Sequence, residues 1–376
     1  MRRIRALSAF LFALLLTVPM PANAAATPAQ AASSTNDAPL RVVIVGLVHG
    51  HVEGFFDHNL HRKDIQIVGI EEPDHALFAR YAKQFGLNED LYFSSLDTML
   101  SRQHPEAALV YTSPLAHRAA VEICARHHVD VMMEKPLATT VADALAMQRI
   151  AKQAGIQVLV NYETSWYASN HDVYDLVQQH ALGRVFKVVA HDGHRGPKEI
   201  GVQPEFLKWL TDPRQDGGGA LFDFGCYGAD LMTWLMHGQR PLTVTAVTMH
   251  IKPEIYPHVD DDSTVIVTYP KAEAILEPSW NWPFDRKDIE VYGKTGYAIT
   301  VGTDRVRLRT AGQATEIMEA APALTPPYAD SLTYLTAVVR GRIQPDVLSS
   351  IDTNVIVTEI LCAARESAQT GKTVHL

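Results

Sequence analysis

From Leu40 to Asn161 the chain alternates without a break between short β-branched runs and helical stretches. Leu40 to Gly46, Ile65 to Ile70, Ala107 to Thr112, Val129 to Met133 and Gln157 to Asn161 are nearly continuous apolar segments, the mark of strands buried on both faces. Between them lie helices: one after Gly50 through Leu60, then His75 to Phe85, Ala116 to His127, and Val141 to Ala154. In His75 to Phe85, Leu77, Tyr81 and Phe85 share one side. A strand that needs both faces covered, and is followed each time by a helix, belongs in a parallel sheet with crossover helices. The fold expected is α/β, with a doubly wound parallel (Rossmann) sheet over residues 40–160.

After Asn161 the pattern changes. Val185 to Asp192, Thr243 to Ile251, Thr264 to Tyr269, Glu273 to Trp280, Asp288 to Tyr292, Tyr297 to Val301 and Asp304 to Thr310 read as strands joined by short turns. That predicts an α+β domain over residues 161–376, built on a mostly antiparallel open sheet. A helix from Ala220 to Met236 is expected to pack on it. Two more, Tyr328 to Arg340 and Asp352 to Gln369, close the chain.

The N-terminus reads as an export signal. Arg2, Arg3 and Arg5 precede an apolar run, Ala6 to Val18, and Ala22-Asn23-Ala24 forms an A-x-A cleavage pattern. Residues 1–24 are therefore expected to be removed, leaving a periplasmic or secreted protein. Residues 25–39, rich in Ala, Ser, Thr and Pro, form a linker by composition. The formal charge of -9 becomes more negative once those arginines leave, which argues against nucleic-acid and anionic-membrane partners. Three cysteines, Cys124, Cys226 and Cys362, lie far apart in apolar patterns, so they are not a disulfide framework. Seventeen scattered histidines show no metal-ligand spacing, and no metal is expected.

The first strand ends in Gly46, followed by Leu47-Val48-His49-Gly50-His51. A strand, a tight turn and a helix make a dinucleotide cradle, although Val48 and His51 replace the second and third glycines of G-x-G-x-x-G. Gly46, Leu47, His49, Gly50 and His51 are the expected contacts. Glu72, 26 residues beyond Gly46, stands where a carboxylate takes the ribose hydroxyls. Its charge would repel a 2′-phosphate, so NAD is favoured over NADP.

Gly217 to Asp230 reads G-G-G-A-L-F-D-F-G-C-Y-G-A-D. On a helix, Asp223, Tyr227 and Asp230 form one stripe, continued by Trp234, opposite an apolar face containing Leu231. One face is made for packing and the other presents a carboxylate and a phenol one turn apart; the plainer alternative is an amphipathic helix with a wet face. Gly225 and Gly228, each costing about 1 kcal/mol against Ala inside a helix, imply that something approaches the backbone.

Glu134-Lys135-Pro136 follows the fourth strand, at the carboxyl edge where open α/β sheets place ligands. With Gly217 to Asp230 and the closing T-G-K-T-V-H-L, the chain resembles the Gfo/Idh/MocA oxidoreductase family from about residue 40 to 376. Tyrosine at 227, where histidine is commoner, is similar to the exported glucose–fructose oxidoreductase branch. The resemblance implies that Lys135, Asp223 and Tyr227 are the catalytic group. It implies that Thr112, Pro114, His117, Glu134 and Asn161 contact the cofactor, and that self-association is to be expected. The sequence departs from the family at Val48, in the shorter Pro114 to His117 spacing, and at Glu163, which stands where many members have Arg.

Independently of that resemblance, oxidation of a secondary alcohol needs a base. A phenol with an ordinary pKa near 10 needs a cation beside it, and Lys135 is that cation or is itself the base. Tyr162, Glu163, His194, Arg195, Trp280 and Trp282 are the expected substrate contacts, Trp280 and Trp282 sharing a strand face. The reading is an exported NAD-dependent oxidoreductase acting on a sugar or glycoside. Two alternatives stand beside it: a redox-neutral glycosidase or epimerase with tightly bound NAD, and a non-catalytic carbohydrate-binding protein.

Overall fold

The computed structural model describes residues 38–376. The expected export signal and residues 25–37 of the linker lie outside these described residues. The first half runs β1 (Leu40–Val45), α1 (His51–Asn59), β2 (Ile65–Glu71), α2 (His75–Phe85), β3 (Tyr92–Phe93), α3 (Leu96–Gln103), β4 (Ala107–Val110), α4 (His117–Arg126), β5 (Asp130–Glu134), α5 (Val141–Ala154) and β6 (Val158–Asn161). All strand pairings are parallel, in the order β3-β2-β1-β4-β5-β6. The reversal of order between β1 and β4 makes the crevice at their carboxyl ends the place for a ligand. Local chemistry agrees with several of the boundaries. Asp74, Ser95 and Thr140 accept backbone N–H bonds at the starts of α2, α3 and α5, and Gly86 and Gly155 end α2 and α5 in the left-handed region.

The second half continues α6 (Ala168–Gln178), β7 (Val185–Gly193), α7 (Pro197–Ile200), α8 (Pro204–Leu210), α9 (Ala220–Asp223), α10 (Gly225–Leu235), β8 (Thr243–Met249), β9 (Asp262–Thr268), β10 (Glu273–Ser279), β11 (Arg286–Gly293), β12 (Gly296–Val301), β13 (Arg305–Thr310), β14 (Ile317–Ala320), α11 (Ser331–Val339), α12 (Ile351–Thr370) and β15 (Val374–His375). Its nine strands order as β14-β13-β12-β11-β7-β10-β9-β8-β15, antiparallel except for β7 against β10. Helix α10 lies on β7 and β10, and α12 lies on β8. On the other face Val247, Met249 and Ile266 are exposed.

The helix expected from Ala220 to Met236 is two helices, broken at Phe224. In an unbroken helix the Asp223 carbonyl would accept the Tyr227 N–H. Instead Tyr227 N–H turns to the Phe224 carbonyl at 3.1 Å, and the Asp223 carbonyl accepts from Lys135 Nζ at 2.9 Å. Upstream, the Asp260 carboxylate holds Gly219 N–H (3.1 Å) and Leu221 N–H (2.7 Å), which fixes the start of α9. The alternative of an amphipathic helix with a wet face does not hold: every residue of α10 is buried, and so is Asp223. A helix covered on all sides needs no polar stripe for solvent.

The glycines have a packing reason. A side chain on Gly228 would lie 2.8 Å from Ala190 Cβ and 3.0 Å from Leu276 Cδ2, both on the sheet. At Gly225 the nearest atom would be Leu361 Cδ2 at 3.3 Å. Gly228→Ala should therefore lower the melting temperature by the equivalent of about 1–3 kcal/mol of overpacking. Gly225→Ala should change it far less, since about 1 kcal/mol of helix propensity offsets the mild crowding. Thermal melts of the two variants check this; equal losses would show that α10 does not sit so closely on β7 and β10.

Candidate active site

The turn after β1 is held from several directions. Gly46 has φ +75, and a side chain there would strike Thr112 Cγ2 at 2.6 Å. Leu47 N–H donates to Glu72 Oε2 at 2.9 Å, and Asp74 N–H to Glu72 Oε1 at 3.0 Å. Burial pushes the Glu72 carboxyl up, and these two donors oppose that. The Val48 carbonyl accepts from Trp209 Nε1 on α8 at 3.0 Å. Gly50 leaves room for Phe206, also on α8, whose Cδ1 would be 2.7 Å from a Cβ. The sequence showed no sign of this clamp from the second half of the chain.

Two buried imidazoles sit at this end of the sheet. His49 packs against Phe206 and Trp209, ring centroids 4.8 and 5.4 Å away, and its Nδ1 accepts His51 N–H at 3.2 Å. Burial lowers its pKa, so the neutral ring carries its proton on Nε2, which has no partner. His117 donates from Nδ1 to the Leu137 carbonyl at 3.1 Å, which leaves its Nε2 an unpartnered acceptor. Buried polar atoms without partners are what a bound polar ligand satisfies. A left-handed glycine, an acid at the end of β2 and these orphaned atoms fit a dinucleotide. His51 Nδ1 lies 2.8 Å from Glu134 Oε2, and Asn161 donates to Glu134 Oε1 at 3.2 Å. Thr112 is half-buried beside Gly46, and Pro114 is buried in the short turn that leads to His117. The sequence showed no metal-ligand spacing, yet potential ligand atoms of His49, His51 and Glu134 lie within 4.8 Å of one another.

Lys135, Asp223 and Tyr227, which lie far apart in the sequence, come together. Lys135 and Asp223 are each 4% exposed and form an ion pair. The other carboxylate oxygen of Asp223 accepts from Trp280 Nε1 at 2.9 Å. Burial works against both charges, but each partner outweighs it for the other: Lys135 is held above and Asp223 below its ordinary range. Lys135 meets Tyr227 over the ring, its Nζ 5.2 Å from the centroid. Burial, then the nearby Glu163, push the Tyr227 phenol well up. Asp230, the last acid of the expected stripe, is wholly buried with neither oxygen partnered, and burial pushes its carboxyl up.

A cavity of about 340 Å³ opens beside this group, with Glu163, Tyr167, His194, Asp285, Arg286 and Lys287 in its wall. His194 accepts Gly196 N–H on Nδ1 at 2.9 Å, so its neutral ring is a donor at Nε2. Three sequence assignments are corrected. Tyr162 is wholly buried, donates to Asn354 Oδ1 at 2.7 Å and stands edge-on to Tyr227, so it supports the site from behind. Trp280 is wholly buried as the Asp223 donor, and β10 ends before it, so it shares no strand face with Trp282. Trp282 is half-buried beneath the Arg286 guanidinium at 4.9 Å. Arg195 is exposed and outside the cavity wall; its carbonyl accepts from Lys252 Nζ at 2.6 Å. Lys287 and Arg286, absent from the sequence reading, belong to no motif, and only the sheet register brings them here.

Residues 40–162 match the oxidoreductase family with an NAD-binding Rossmann fold, and residues 156–299 match the GFO/IDH/MocA C-terminal domain. The chain belongs to the Gfo/Idh/MocA oxidoreductase family. Among curated family relatives, trans-1,2-dihydrobenzene-1,2-diol dehydrogenase of Macaca fuscata fuscata is 25% identical over 61% of this chain and 64% of its own length. The human enzyme of that name is 24% identical over the same shares. The chain thus spans less than two thirds of the length of these relatives. Two solved structures share the fold. Aldose-aldose oxidoreductase of Caulobacter crescentus has TM-score 0.75 at 23% identity, over 90% of this chain and 100% of that one. An inositol dehydrogenase homolog from Azotobacter vinelandii, complexed with NAD+, has TM-score 0.77 at 18% identity, over 90% and 98%.

Burial lowers the His117 pKa from an ordinary 6.5 to about 4. The unfolded chain therefore binds a proton between these values that the folded chain refuses, and stability falls as pH drops through that window. Fully expressed, the effect is about 3 kcal/mol. Glu71, raised to about 7, and Asp260, raised to about 6, act in the opposite sense. The comparison of wild type with His117→Asn isolates the histidine. Urea unfolding at pH 7 and pH 4.5 should show the variant losing about 2–3 kcal/mol less on acidification. Parallel losses would mean that His117 is not buried neutral.

Proposed function

We propose that this chain oxidises a secondary alcohol carbon of a sugar or glycoside, with NAD as the hydride acceptor. The observation that carries the proposal is the buried Lys135–Asp223 pair against the Tyr227 ring, at the carboxyl edge of a parallel sheet and beside a polar cavity. When bound across the Gly46 turn, the dinucleotide supplies hydride acceptance. Leu47, His49, Gly50, His51, Thr112, Pro114 and His117 would hold it there, with Glu134 and Asn161 nearest the reacting end. The chain supplies the proton path. Lys135, kept charged by Asp223, is a poor base and a good electrostatic partner, so the acceptor of the substrate hydroxyl proton is Tyr227 in its phenolate form, which burial disfavours and the ammonium group over the ring favours. Trp280 fixes Asp223, and Asp223 fixes Lys135. Charged and hydroxyl groups in the cavity wall suit a polyhydroxylated substrate. The names of the similar proteins, which speak of a diol, an aldose and inositol, agree with that class.

Glu72 supports NAD over NADP, because a 2′-phosphate would meet a buried carboxylate. Export after cleavage at Ala24 rests on the N-terminal pattern alone, and a chain crossing unfolded would have to find NAD outside the cytoplasm. Self-association rests on the open sheet face with Val247, Met249 and Ile266.

The central experiment is a screen of sugars, polyols and glycosides followed by both NADH and released sugar. With an active substrate, Tyr227→Phe should slow single-turnover NAD reduction by about 10² or more, and Lys135→Ala should also be slow. Leu231→Ala, in the packed core, should instead lower the melting temperature by the equivalent of about 2–5 kcal/mol. Wild-type rates in both site variants would remove the catalytic assignment. For cofactor choice, titration should show tighter NAD than NADP binding, with Glu72→Ala narrowing the difference. Tighter NADP binding by the wild type would overturn the role given to Glu72.

A further inference from the structure

We infer that Lys287 is a positioning residue of the proton-transfer centre: its ammonium group supplies positive charge to the Tyr227 ring, and Glu163 governs how much of it the ring feels. Lys287 enters from β11, directly opposite Asp192 of β7 in the sheet register. Residues so paired share a face, and Asp192 is buried beneath α10, its Oδ2 3.4 Å from where a Gly228 side chain would begin. The register thus aims Lys287 at α10. Its Nζ lies 5.1 Å from the Tyr227 ring centroid, as close as Lys135 at 5.2 Å.

The two ammonium groups differ in what holds them. Lys135 is locked by a partner that is itself buried and held by Trp280. The partner of Lys287 is Glu163, whose side chain is 50% exposed in the cavity wall and also accepts from Tyr167. Water or a substrate hydroxyl can compete for that carboxylate. The groups that weigh most on the ring besides these lysines are acids and a thiol, all of which disfavour a phenolate. Glu134 comes from β5, Asp223 and Cys226 from α9 and α10, Glu163 from the turn after β6, and Tyr162 stands edge-on. Burial pushes the Asp192 carboxyl of β7 up, against the pull of Lys287. Lys287 and Lys135 are therefore the charges that favour a phenolate at position 227. An opposite charge within about 4–6 Å moves a titration by 1–3 pH units, and a shared one by less.

The inference rests on Tyr227 as the proton acceptor, and its test needs neither substrate nor cofactor. A difluorinated tyrosine placed at position 227 of the full chain titrates at lower pH than tyrosine and is followed by fluorine NMR. Against this background, Lys287→Met should raise the titration midpoint by about one pH unit, Glu163→Gln should lower it, and the double variant should lie between the singles. A purely structural salt bridge would lower the melting temperature in both single variants and leave the midpoints together. Midpoints that agree within about 0.2 pH unit, or that move in the same direction, overturn the inference. Fast turnover by Tyr227→Phe would instead overturn the catalytic reading while leaving this titration intact, so the two failures are distinguishable.

Discussion

The ion pair between Lys135 and Asp223 joins the two sheets of the protein at one point. Lys135 directly follows β5 of the parallel sheet, and Asp223 ends a single helical turn of the second half. Removing one partner of a buried pair leaves an unpaired charge at a cost of about 3–5 kcal/mol, whereas the intact pair contributes little net stability. The arrangement therefore specifies geometry more than it stabilises. It explains why the carbonyl of Asp223 is released from its helix, why a tryptophan is buried behind it, and why the phenol next in line meets an ammonium over its face.

The unusual run of glycines before and within α10 has packing reasons of its own. Gly217 and Gly219 carry the chain through a turn that ends against Asp260, and Gly228 lets α10 lie flat on β7 and β10. The polar residues of the run are not there for solvent. They are buried because a helix between a sheet and another helix has no wet side. Asp223 has a partner. Asp230 does not, and burial pushes its carboxyl up.

The five longer strands of the parallel sheet were legible in the sequence because they are largely apolar and alternate with helical stretches. Short elements were not. Tyr92–Phe93 is too brief to show a period, and the edge strand Ile317–Ala320 lacks a buried face. The three central residues were legible as motifs, but not their burial, since the period that predicts an amphipathic face cannot say whether the polar side is covered. Trp280 and Tyr162 were misplaced for the same reason: an aromatic beside a motif reads equally well as a stacking surface or as a prop. Lys287 and the α8 clamp were invisible, because their meaning comes from a register and a docking that no local pattern encodes.

The bond from Trp209 to the Val48 carbonyl has a consequence for how the halves depend on each other. Where relatives of this fold use glycine, this chain has valine, and the backbone of the turn is steadied by an indole that arrives more than a hundred residues later. The parallel sheet is thus not a self-sufficient nucleotide module. Cut after Asn161, it would lose both the splint on its ligand turn and the apolar cover that Leu332, Tyr334, Leu335 and Val338 of α11 give to one of its faces.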